Sequence, residues 1–304
     1  MTENKNGISV ITCSIKPELC NQMLESVKGT IGINFETIVF DNREKNYGIC
    51  KVYNDCAKKA KYPYLCFIHE DVILPTPNWG ASMVSFAEKT QNCGVIGFAG
   101  GTVARRNFIY WEGGEKGRYR FFDPTIPLNK KEIKVNNGLI LKYNNPENEK
   151  FAKVVTLDGV FLFVKKEIWE KFPFDEEKIK DFHFYDADFS LNIAQKYKNY
   201  VCLIADIYHF SSGNLTKKYF EYARIFQKKW KHILPYCIEK QKVTFTDELK
   251  GAKDLFILSM KHGFTFRQCT KHLIKNNSLF FFYASCVFIP ACSLKKIISN
   301  IIKV

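Results

Sequence analysis

A chain of 304 residues with 46% hydrophobic and 25% charged residues can bury a substantial core, and this composition excludes a wholly disordered protein. The net charge is +14, and most of it lies in residues 217–304, which hold 17 Lys and Arg against 5 Asp and Glu. This asymmetry favours a polyanionic partner, either a nucleic acid or an anionic membrane surface. The absence of a GxSxG motif, a P-loop and a GxGxxG after the first predicted strand argues against hydrolases, P-loop NTPases and dinucleotide-binding proteins.

Short apolar segments alternate with helical patterns in the first third of the chain. Short apolar runs, the first of them β-branched, predict strands at residues 8–13, 35–40, 64–68 and 94–98. Helical spacing between these runs predicts helices at residues 17–28, 49–60 and 79–90. Such alternation is typical of an α/β fold with a mostly parallel central sheet flanked by helices, which binds its ligands at the carboxyl ends of the strands.

The middle of the chain, residues 102–149, is rich in Gly, Asn, Arg and aromatic residues and predicts loops and hairpins over the sheet. Its segment 110–114 is a candidate for closing over a site, with an ordinary surface loop as the alternative. The elements predicted further on are an apolar stretch at residues 154–164, helices at 166–171 and 183–197, and a strand at 201–205.

From residue 217 the pattern changes to helices rich in Lys and aromatic residues. We therefore predict an α/β domain at residues 1–216 and a basic helical C-terminal region at 217–304. Residues 278–294 contain no charged residue but include Pro290, which leaves three alternatives open: a helix on a membrane surface, a packed helical hairpin or a spanning helix. The polar start of the chain predicts no signal peptide, so we expect a cytoplasmic protein at the inner face of the cell membrane.

Three polar clusters follow predicted strands or begin a predicted helix. Glu70 and Asp71 follow the strand at 64–68 and offer the oxygen ligands that a divalent cation prefers, unless they form a solvated acidic turn. His209 follows the strand at 201–205 and is either a nitrogen ligand or a structural histidine. At the helix starting near residue 183, Asp188 fits an acidic residue of the first helical turn. Asp186 is the candidate for a base that takes the proton of a substrate hydroxyl group.

Taken together, five segments resemble the family 2 glycosyltransferases with the GT-A fold, over residues 7–213. The segments are ISVITC at 8–13 with the strand ending at Asp41, NYGICKVYNDCA at 46–57, YLCFIHEDV at 64–72, LDGVFLFV at 157–164 and YDADF at 185–189. Each segment is weak evidence alone, and their order along the chain makes the resemblance specific.

This resemblance implies an inverting transfer of a hexosyl or N-acetylhexosaminyl group from a nucleotide-sugar, with UDP as the expected nucleotide, to a glycan or lipid-linked acceptor in cell-surface polysaccharide synthesis. It also implies Mn²⁺ or Mg²⁺ as the cofactor. The implied roles are nucleotide binding for Thr12, Asp41, Asn46, Asn54 and Glu70, metal binding for Asp71 and His209, contact with the donor or acceptor for Asp158, Gly159 and Asp188, and base catalysis for Asp186.

Three positions depart from the family's pattern. His69 stands where an Asp is usual, Tyr185 stands where a Glu often precedes the base, and Tyr53 stands where an Arg is frequent. His69 is the main support for one alternative, a nucleotide-sugar-binding subunit that has lost catalysis. The other alternative is a basic nucleic-acid-binding protein, but no zinc finger, RRM signature or helix-turn-helix supports it, so we expect no nucleic acid partner.

Overall fold

The structure is a computed structural model that describes residues 6–110, 116–123, 133–134, 139–211, 215–239 and 241–276. The helices are α1 (Pro17–Thr30), α2 (Ile49–Ala57), α3 (Trp79–Lys89), α4 (Lys166–Lys171), α5 (Tyr185–Ala194), α6 (Lys217–Lys229), α7 (Phe245–Lys261) and α8 (Phe266–Lys275). The strands of the first half are β1 (Gly7–Ser14), β2 (Asn34–Asp41), β3 (Tyr64–Ile68), β4 (Val72–Ile73), β5 (Cys93–Gly97), β6 (Ala99–Gly101), β7 (Val103–Ala104) and β8 (Gly117–Asp123). The remaining strands are β9 (Ile133–Lys134), β10 (Ile140–Asn144), β11 (Phe151–Val154), β12 (Thr156–Leu157), β13 (Phe161–Lys165), β14 (Lys198–Cys202), β15 (Tyr208–His209) and β16 (Tyr236–Cys237).

A seven-stranded sheet with the order β11-β14-β5-β13-β3-β1-β2 forms the centre of the fold. Five of these strands run in one direction, whereas β13 and β11 run in the other, so the predicted α/β class is confirmed and the sheet is mixed. Every residue of β3 is buried, as expected for a central strand covered on both faces, whereas exposed residues recur along the edge strand β2.

Helices cover both faces of this sheet. On one face, α1 contributes Met23 and Val27 and α3 contributes Trp79 and Met83 to the hydrophobic core. On the other face, the buried ring of Tyr53 in α2 lies 4.9 Å from Phe67 of β3 and 5.5 Å from Phe174, between ring centroids. Tyr53, one of the departures from the family's pattern, is therefore a core residue.

A second sheet has the order β12-β6-β8-β10-β9, and β15 joins it by pairing with both β8 and β4. The predicted hairpin character of residues 102–149 is confirmed by the antiparallel pair β8 and β10. Residues 111–114 of the candidate closing segment lie outside the described residues. The pairing of β15 with β4 places His209 opposite Val72, beside Asp71.

The strand predicted at 201–205 begins earlier than expected, since β14 spans Lys198–Cys202. The reason is the buried side chain of Asn199, whose amide donates to the carbonyls of Val155 and Ser190 and accepts from the backbone N–H of Val95. These bonds satisfy a polar residue inside the core, which a hydrophobic pattern does not indicate.

The chain divides into two compact units, of which the first comprises residues 1–104, 110–214 and 237–241 and the second comprises 105–109, 215–236 and 242–304. In the second unit, Thr216, Thr244 and Thr265 cap the N-termini of α6, α7 and α8. Within the described parts of the chain, every helix falls short of the length and hydrophobicity that crossing a bilayer requires. Residues 278–294 lie outside those parts.

Candidate functional site

Several strand ends meet at one edge of the central sheet. The register places Ser14 at the end of β1 beside Asp41 at the end of β2, and Ile68 at the end of β3 beside Phe161 at the start of β13. The residues after β3 and before β13 therefore share this edge, where α/β sheets bind their ligands. This arrangement brings residues 69–71 and 158–159 together.

A cluster of three side chains lies at this edge. One ligand atom from each of His69, Asp71 and His209 can be chosen so that all of them lie within 4.8 Å of one another. Oδ1 of Asp71 lies 3.9 Å from Nδ1 of His69 and 3.6 Å from Nε2 of His209. The two residues predicted as metal ligands are thus adjacent, and His69 joins them.

Backbone pairing fixes His209 in this cluster. Strand β15 pairs with β4, and the N–H of Phe210 donates to the carbonyl of Asp71 at 3.0 Å. Behind His209, the buried carboxylate of Asp123 lies 4.0 Å from Nδ1 and 3.5 Å from Nζ of Lys142. Asp123 therefore faces the nitrogen of His209 that is turned away from Asp71.

The cluster favours an anionic aspartate and a neutral histidine. Burial opposes ionisation of Asp71, but His209, His69 and the hydroxyl of Ser211 outweigh it, so the pKa of Asp71 lies below its usual value. Burial, reinforced by His209, lowers the pKa of His69 to about 4 against the opposing effect of Asp71 and Asp158. His69 is therefore neutral at physiological pH, as a metal-binding imidazole must be.

Tyr185 and Gly159 connect this cluster to the candidate base. The Tyr185 hydroxyl lies 2.7 Å from Nε2 of His69 and donates to the carbonyl of Gly159 at 2.9 Å. The N–H of Gly159 in turn donates to Oδ2 of Asp186 at 2.8 Å. His69 and Asp186 are thus joined by hydrogen bonds through one tyrosine and one glycine.

Asp186 lies in the first turn of α5, where Oδ1 accepts the N–H of Ala187 at 2.8 Å. Burial and, to a smaller extent, the nearby carboxylate of Asp158 together raise the pKa of Asp186 to about 7, against the lowering effect of the two backbone N–H donors. An ionised carboxylate has about four lone-pair sites, so these two bonds leave capacity for another donor. A carboxylate with a pKa near 7 and room for another donor has the chemistry that a general base needs.

Gly159 is required because Tyr185 approaches its backbone closely. A Cβ atom at position 159 would lie 2.1 Å from the Tyr185 hydroxyl oxygen and 3.0 Å from Cβ of Asp186. We expect Gly159→Ala to displace Tyr185 and to weaken Mn²⁺ binding by about 10- to 100-fold, since it disturbs a group in contact with His69 of the candidate metal cluster. Manganese titration followed by EPR measures this change. Gly29→Ala is the matched control because its Cβ meets no atom within 4 Å, and equal affinities for the two variants would contradict the prediction.

The side chains of three predicted site residues are buried in the fold. The buried hydroxyl of Thr12 donates to the carbonyl of Ile68 at 2.7 Å. The buried amide of Asn54 donates to the carbonyl of Phe174 and accepts from the backbone of Phe174 and from the indole of Trp169. Asp188 is buried in the first turn of α5, the position that the sequence indicated. In this structure Thr12 and Asn54 serve the fold, with their polar atoms turned into it.

Asp41 and Asn46 are the predicted nucleotide-binding residues that remain exposed. Asp41 accepts hydrogen bonds from the guanidinium of Arg43, through Nε at 2.9 Å and Nη2 at 2.5 Å, and from the Arg43 backbone N–H at 3.1 Å, which lower the pKa of Asp41 to about 2. Asn46 has a φ of 52°, a left-handed conformation that Asn tolerates better than most residues. Both side chains follow β2 at the edge described above.

The carboxylate of Glu70 points away from its neighbour Asp71 and accepts hydrogen bonds from the loop between β1 and α1. Its carboxylate accepts the Ser14 hydroxyl at 2.7 Å and the N–H groups of Ile15 and Lys16 at 3.1 and 2.9 Å. These donors include groups near the start of α1, where an anion is favoured.

We expect Glu70→Gln to lower the free energy of unfolding by about 1–2 kcal/mol, because the amide keeps one acceptor oxygen but loses the charge. Urea denaturation at neutral pH measures the change. Glu25→Gln, on an exposed part of α1, is the control. Equal stability of Glu70→Gln and wild type would contradict this structural role.

Two residues at the site had no predicted role in it. Tyr185 stood out in the sequence only as a departure from the family's pattern, and its proximity to His69 spans 116 positions. Asp123 lies in the middle region that predicted loops and hairpins. Its place at the end of strand β8 is the feature of the sequence that could have indicated Asp123.

Comparisons with known proteins agree with the fold. The sequence matches the protein family described as Glycosyltransferase like family over residues 9–230. No curated protein matches the chain.

The fold is similar to that of GalNAc-T7, crystallised with UDP, GalNAc and Mn²⁺. The TM-score is 0.51 and the identity 12%, and the match covers 91% of this chain and 56% of that chain. A second similar structure, A197 from STIV, has a TM-score of 0.38 and 16% identity, and the match covers 68% of this chain and 86% of that one. The chain thus spans just over half of the GalNAc-T7 structure, and the predicted GT-A-like fold is confirmed.

Proposed function

The chain belongs to the glycosyltransferase-like family, and we propose that it transfers a sugar from a UDP-sugar to a hydroxyl group of a glycan or lipid-linked acceptor. The observation that carries this proposal is the cluster of His69, Asp71 and His209 joined by hydrogen bonds to Asp186. It combines a cation-binding group with a carboxylate whose pKa lies near neutrality. The UDP and Mn²⁺ in the GalNAc-T7 structure support the nature of the donor and the cation.

The residues of the cluster fit a divalent cation. Ligands of one cation lie about 4 Å apart or closer, because each bond is roughly 2.0–2.2 Å long, and the two distances from Asp71, 3.9 and 3.6 Å, meet this condition. The donor set of two imidazoles and one carboxylate favours Mn²⁺ over Mg²⁺, which prefers oxygen ligands. His69 thus supplies a ligand, which supports an active enzyme over a subunit that has lost catalysis.

When bound here, the cation would neutralise charge that develops on the leaving diphosphate. The protein's own contribution to the transfer is to place a base and an acceptor. Asp186 takes the proton of the acceptor hydroxyl as its oxygen attacks the anomeric carbon and the bond to the diphosphate breaks. A single displacement of this kind inverts the anomeric centre. Gly159 and Ala187 hold the carboxylate of Asp186 in place through their N–H groups.

We assign the nucleotide to the exposed edge after β2, with Asp41 and Asn46 as its contacts. The ionised carboxylate of Asp41 offers acceptors for the N–H of a pyrimidine base, and Arg43 holds it in place. Asp158 precedes Gly159 and interacts electrostatically with Asp186, and its Oδ1 accepts the N–H of Val160 at 3.0 Å. We place the donor sugar and the acceptor near Asp158, Gly159 and the start of α5, which contains Asp188.

The test of the proposed function is a screen of UDP-, GDP- and dTDP-sugars by thermal shift, followed by release of the nucleotide in the presence of Mn²⁺, Mg²⁺ or Zn²⁺. We expect stabilisation and turnover with a UDP-sugar and Mn²⁺. A glycan fragment or polyprenol-linked sugar serves as the acceptor. Stabilisation without turnover for every acceptor would favour a binding subunit, and no response to any nucleotide-sugar would overturn the proposal.

We also propose that residues 217–304 hold the catalytic domain of residues 1–216 against an anionic membrane at the inner face of the cell membrane. One face of α8 carries Arg267, Lys271 and Lys275 beside the exposed side chain of Ile274, and Phe266 at the start of α8 is also exposed. Each Lys or Arg near such a surface contributes about 1 kcal/mol. An acceptor carried on a membrane lipid would then be within reach, as cell-surface polysaccharide synthesis requires.

Vesicle flotation tests this attachment. The full chain should float with vesicles that contain anionic lipid and remain behind with neutral vesicles, and a variant with Lys271→Glu and Lys275→Glu should float less. Higher salt should weaken binding, because it screens the charges. Equal flotation with anionic and neutral vesicles would contradict the proposal.

A further inference from the structure

The hydrogen bonds around Tyr185 determine where the proton of His69 lies. A tyrosine hydroxyl has one proton, and that of Tyr185 is donated to the carbonyl of Gly159, which can only accept. The hydroxyl oxygen also lies 2.7 Å from Nε2 of His69. With the tyrosine proton given to the Gly159 carbonyl, Nε2 is assigned as the donor in this second bond. The neutral imidazole then carries its proton on Nε2 and a lone pair on Nδ1.

The Nδ1 atom is the one that faces the metal cluster. It lies 3.9 Å from Oδ1 of Asp71, whereas Nε2 is occupied by Tyr185. We propose that Tyr185 is a positioning residue that holds His69 in the Nε2-protonated tautomer and thereby reserves Nδ1 as a ligand for the cation. This proposal rests on the proposed function, because it assumes that His69 binds a cation together with Asp71 and His209.

The surroundings of Tyr185 are rigid enough for this role. Its side chain is buried, and its ring packs against Tyr53 at 5.8 Å and Phe174 at 6.2 Å between centroids. On the other side, the backbone N–H of His69 donates to the carbonyl of Val160 at 3.1 Å, which extends the pairing of β3 with β13. The side chain of Tyr185 and the backbone of His69 are therefore both held in place by the fold.

The same tyrosine couples two functions of the site. The peptide groups of Gly159 accept from Tyr185 through the carbonyl and donate to Asp186 through the N–H, so one glycine receives the tyrosine and orients the base. A carboxylate at position 185 would lack the proton for the Gly159 carbonyl. A neutral hydroxyl satisfies both an acceptor and a donor, as the contact with an imidazole here requires.

The first test is the tautomer of His69 in the metal-free protein. A long-range ¹H–¹⁵N spectrum of protein labelled in histidine shows which ring nitrogen carries the proton, and His69→Ala assigns the signal. We expect protonation at Nε2 in wild type and a mixture of tautomers in Tyr185→Phe. The control is Tyr64→Phe, which removes a hydroxyl from the opposite end of β3. Protonation of His69 at Nδ1 in wild type would overturn the proposal.

The second test is the affinity for Mn²⁺ alone, measured by EPR on the full chain. Loss of a partner that orients a metal-binding histidine typically weakens metal binding by about 10- to 100-fold, and we expect this loss for Tyr185→Phe and no loss for Tyr64→Phe. In a His69→Ala background, Tyr185→Phe should cause no further loss, because it acts through His69. Unchanged affinity in Tyr185→Phe, or an equal loss in Tyr64→Phe, would overturn the positioning role.

These outcomes are separable from those of the proposed function. If wild type binds Mn²⁺ and shows the expected tautomer but transfers no sugar, the proposed function fails and the role of Tyr185 stands. If wild type transfers sugar and Tyr185→Phe leaves both the tautomer and the affinity unchanged, the proposed function stands and the role of Tyr185 fails.

Discussion

Asp71→Asn is expected to lower kcat/KM for sugar transfer about a thousandfold, because a bound cation stabilises the transition state by several kcal/mol and each 1.36 kcal/mol is worth a factor of ten. Asp71 is the carboxylate of the cluster and lies between both histidines. Asn keeps the size of the side chain but removes the charge that attracts the cation. Release of UDP at saturating Mn²⁺ measures the rate, and EPR measures the affinity for Mn²⁺.

The matched control is Asp55→Asn, the same change on the outer face of α2. Asp55 pairs with Lys51 at 2.8 Å, and an exposed pair of this kind contributes little to stability. This variant should bind Mn²⁺ and transfer sugar as wild type does. If Asp71→Asn also retained full affinity and activity, Asp71 would not be a metal ligand.

Asp186→Asn is expected to lower kcat by about 10²- to 10⁴-fold, the usual contribution of a general base, while leaving the affinity for Mn²⁺ nearly unchanged. The amide cannot take the proton of the acceptor hydroxyl, but it occupies the same space beside Gly159. Retained Mn²⁺ binding shows that the site is intact. Equal turnover numbers for wild type and Asp186→Asn would exclude Asp186 as the base.

The pH dependence of both rate and stability checks the same carboxylate. Since the pKa of Asp186 is raised to about 7, kcat of wild type should rise with pH up to about 7 and then level off. This rise of kcat with pH should be absent in Asp186→Asn. The folded state favours the protonated acid, so stability from this group is present below pH 4 and is lost as the pH rises through 7. The melting temperature of metal-free Asp186→Asn should therefore rise relative to that of metal-free wild type between about pH 4 and 7. Parallel stability curves would contradict the raised pKa.

Several elements of the fold follow from local pattern. The strand predicted at 64–68 and the helix predicted at 166–171 match β3 and α4 at both ends, because an apolar run and helical spacing are local signals. The order of the strands in the sheet was harder to predict from the sequence. Strand β13 enters between β3 and β5 in the opposite direction, and nothing in its sequence specifies that position.

The candidate site was predictable in part for the same reason. Asp71 and Asp186 were indicated because each stands at the end of a strand or the start of a helix. In contrast, the contact between His69 and Tyr185 depends on a fold that brings residues 116 positions apart together. The sequence presented these residues as two separate departures from the family's pattern, whereas the structure shows that they are hydrogen-bonded to each other.

The pairing of β15 with β4 has a consequence for folding energetics. His209 comes from a two-residue strand, far along the chain from the loop that holds His69 and Asp71. A cation bound by all three would act as a crosslink that exists only in the folded chain, and free ligand at 100 times its dissociation constant stabilises a protein by about 2.7 kcal/mol. Mn²⁺ should therefore raise the melting temperature of wild type. His209→Ala should abolish most of that rise, because it removes the ligand that comes from β15.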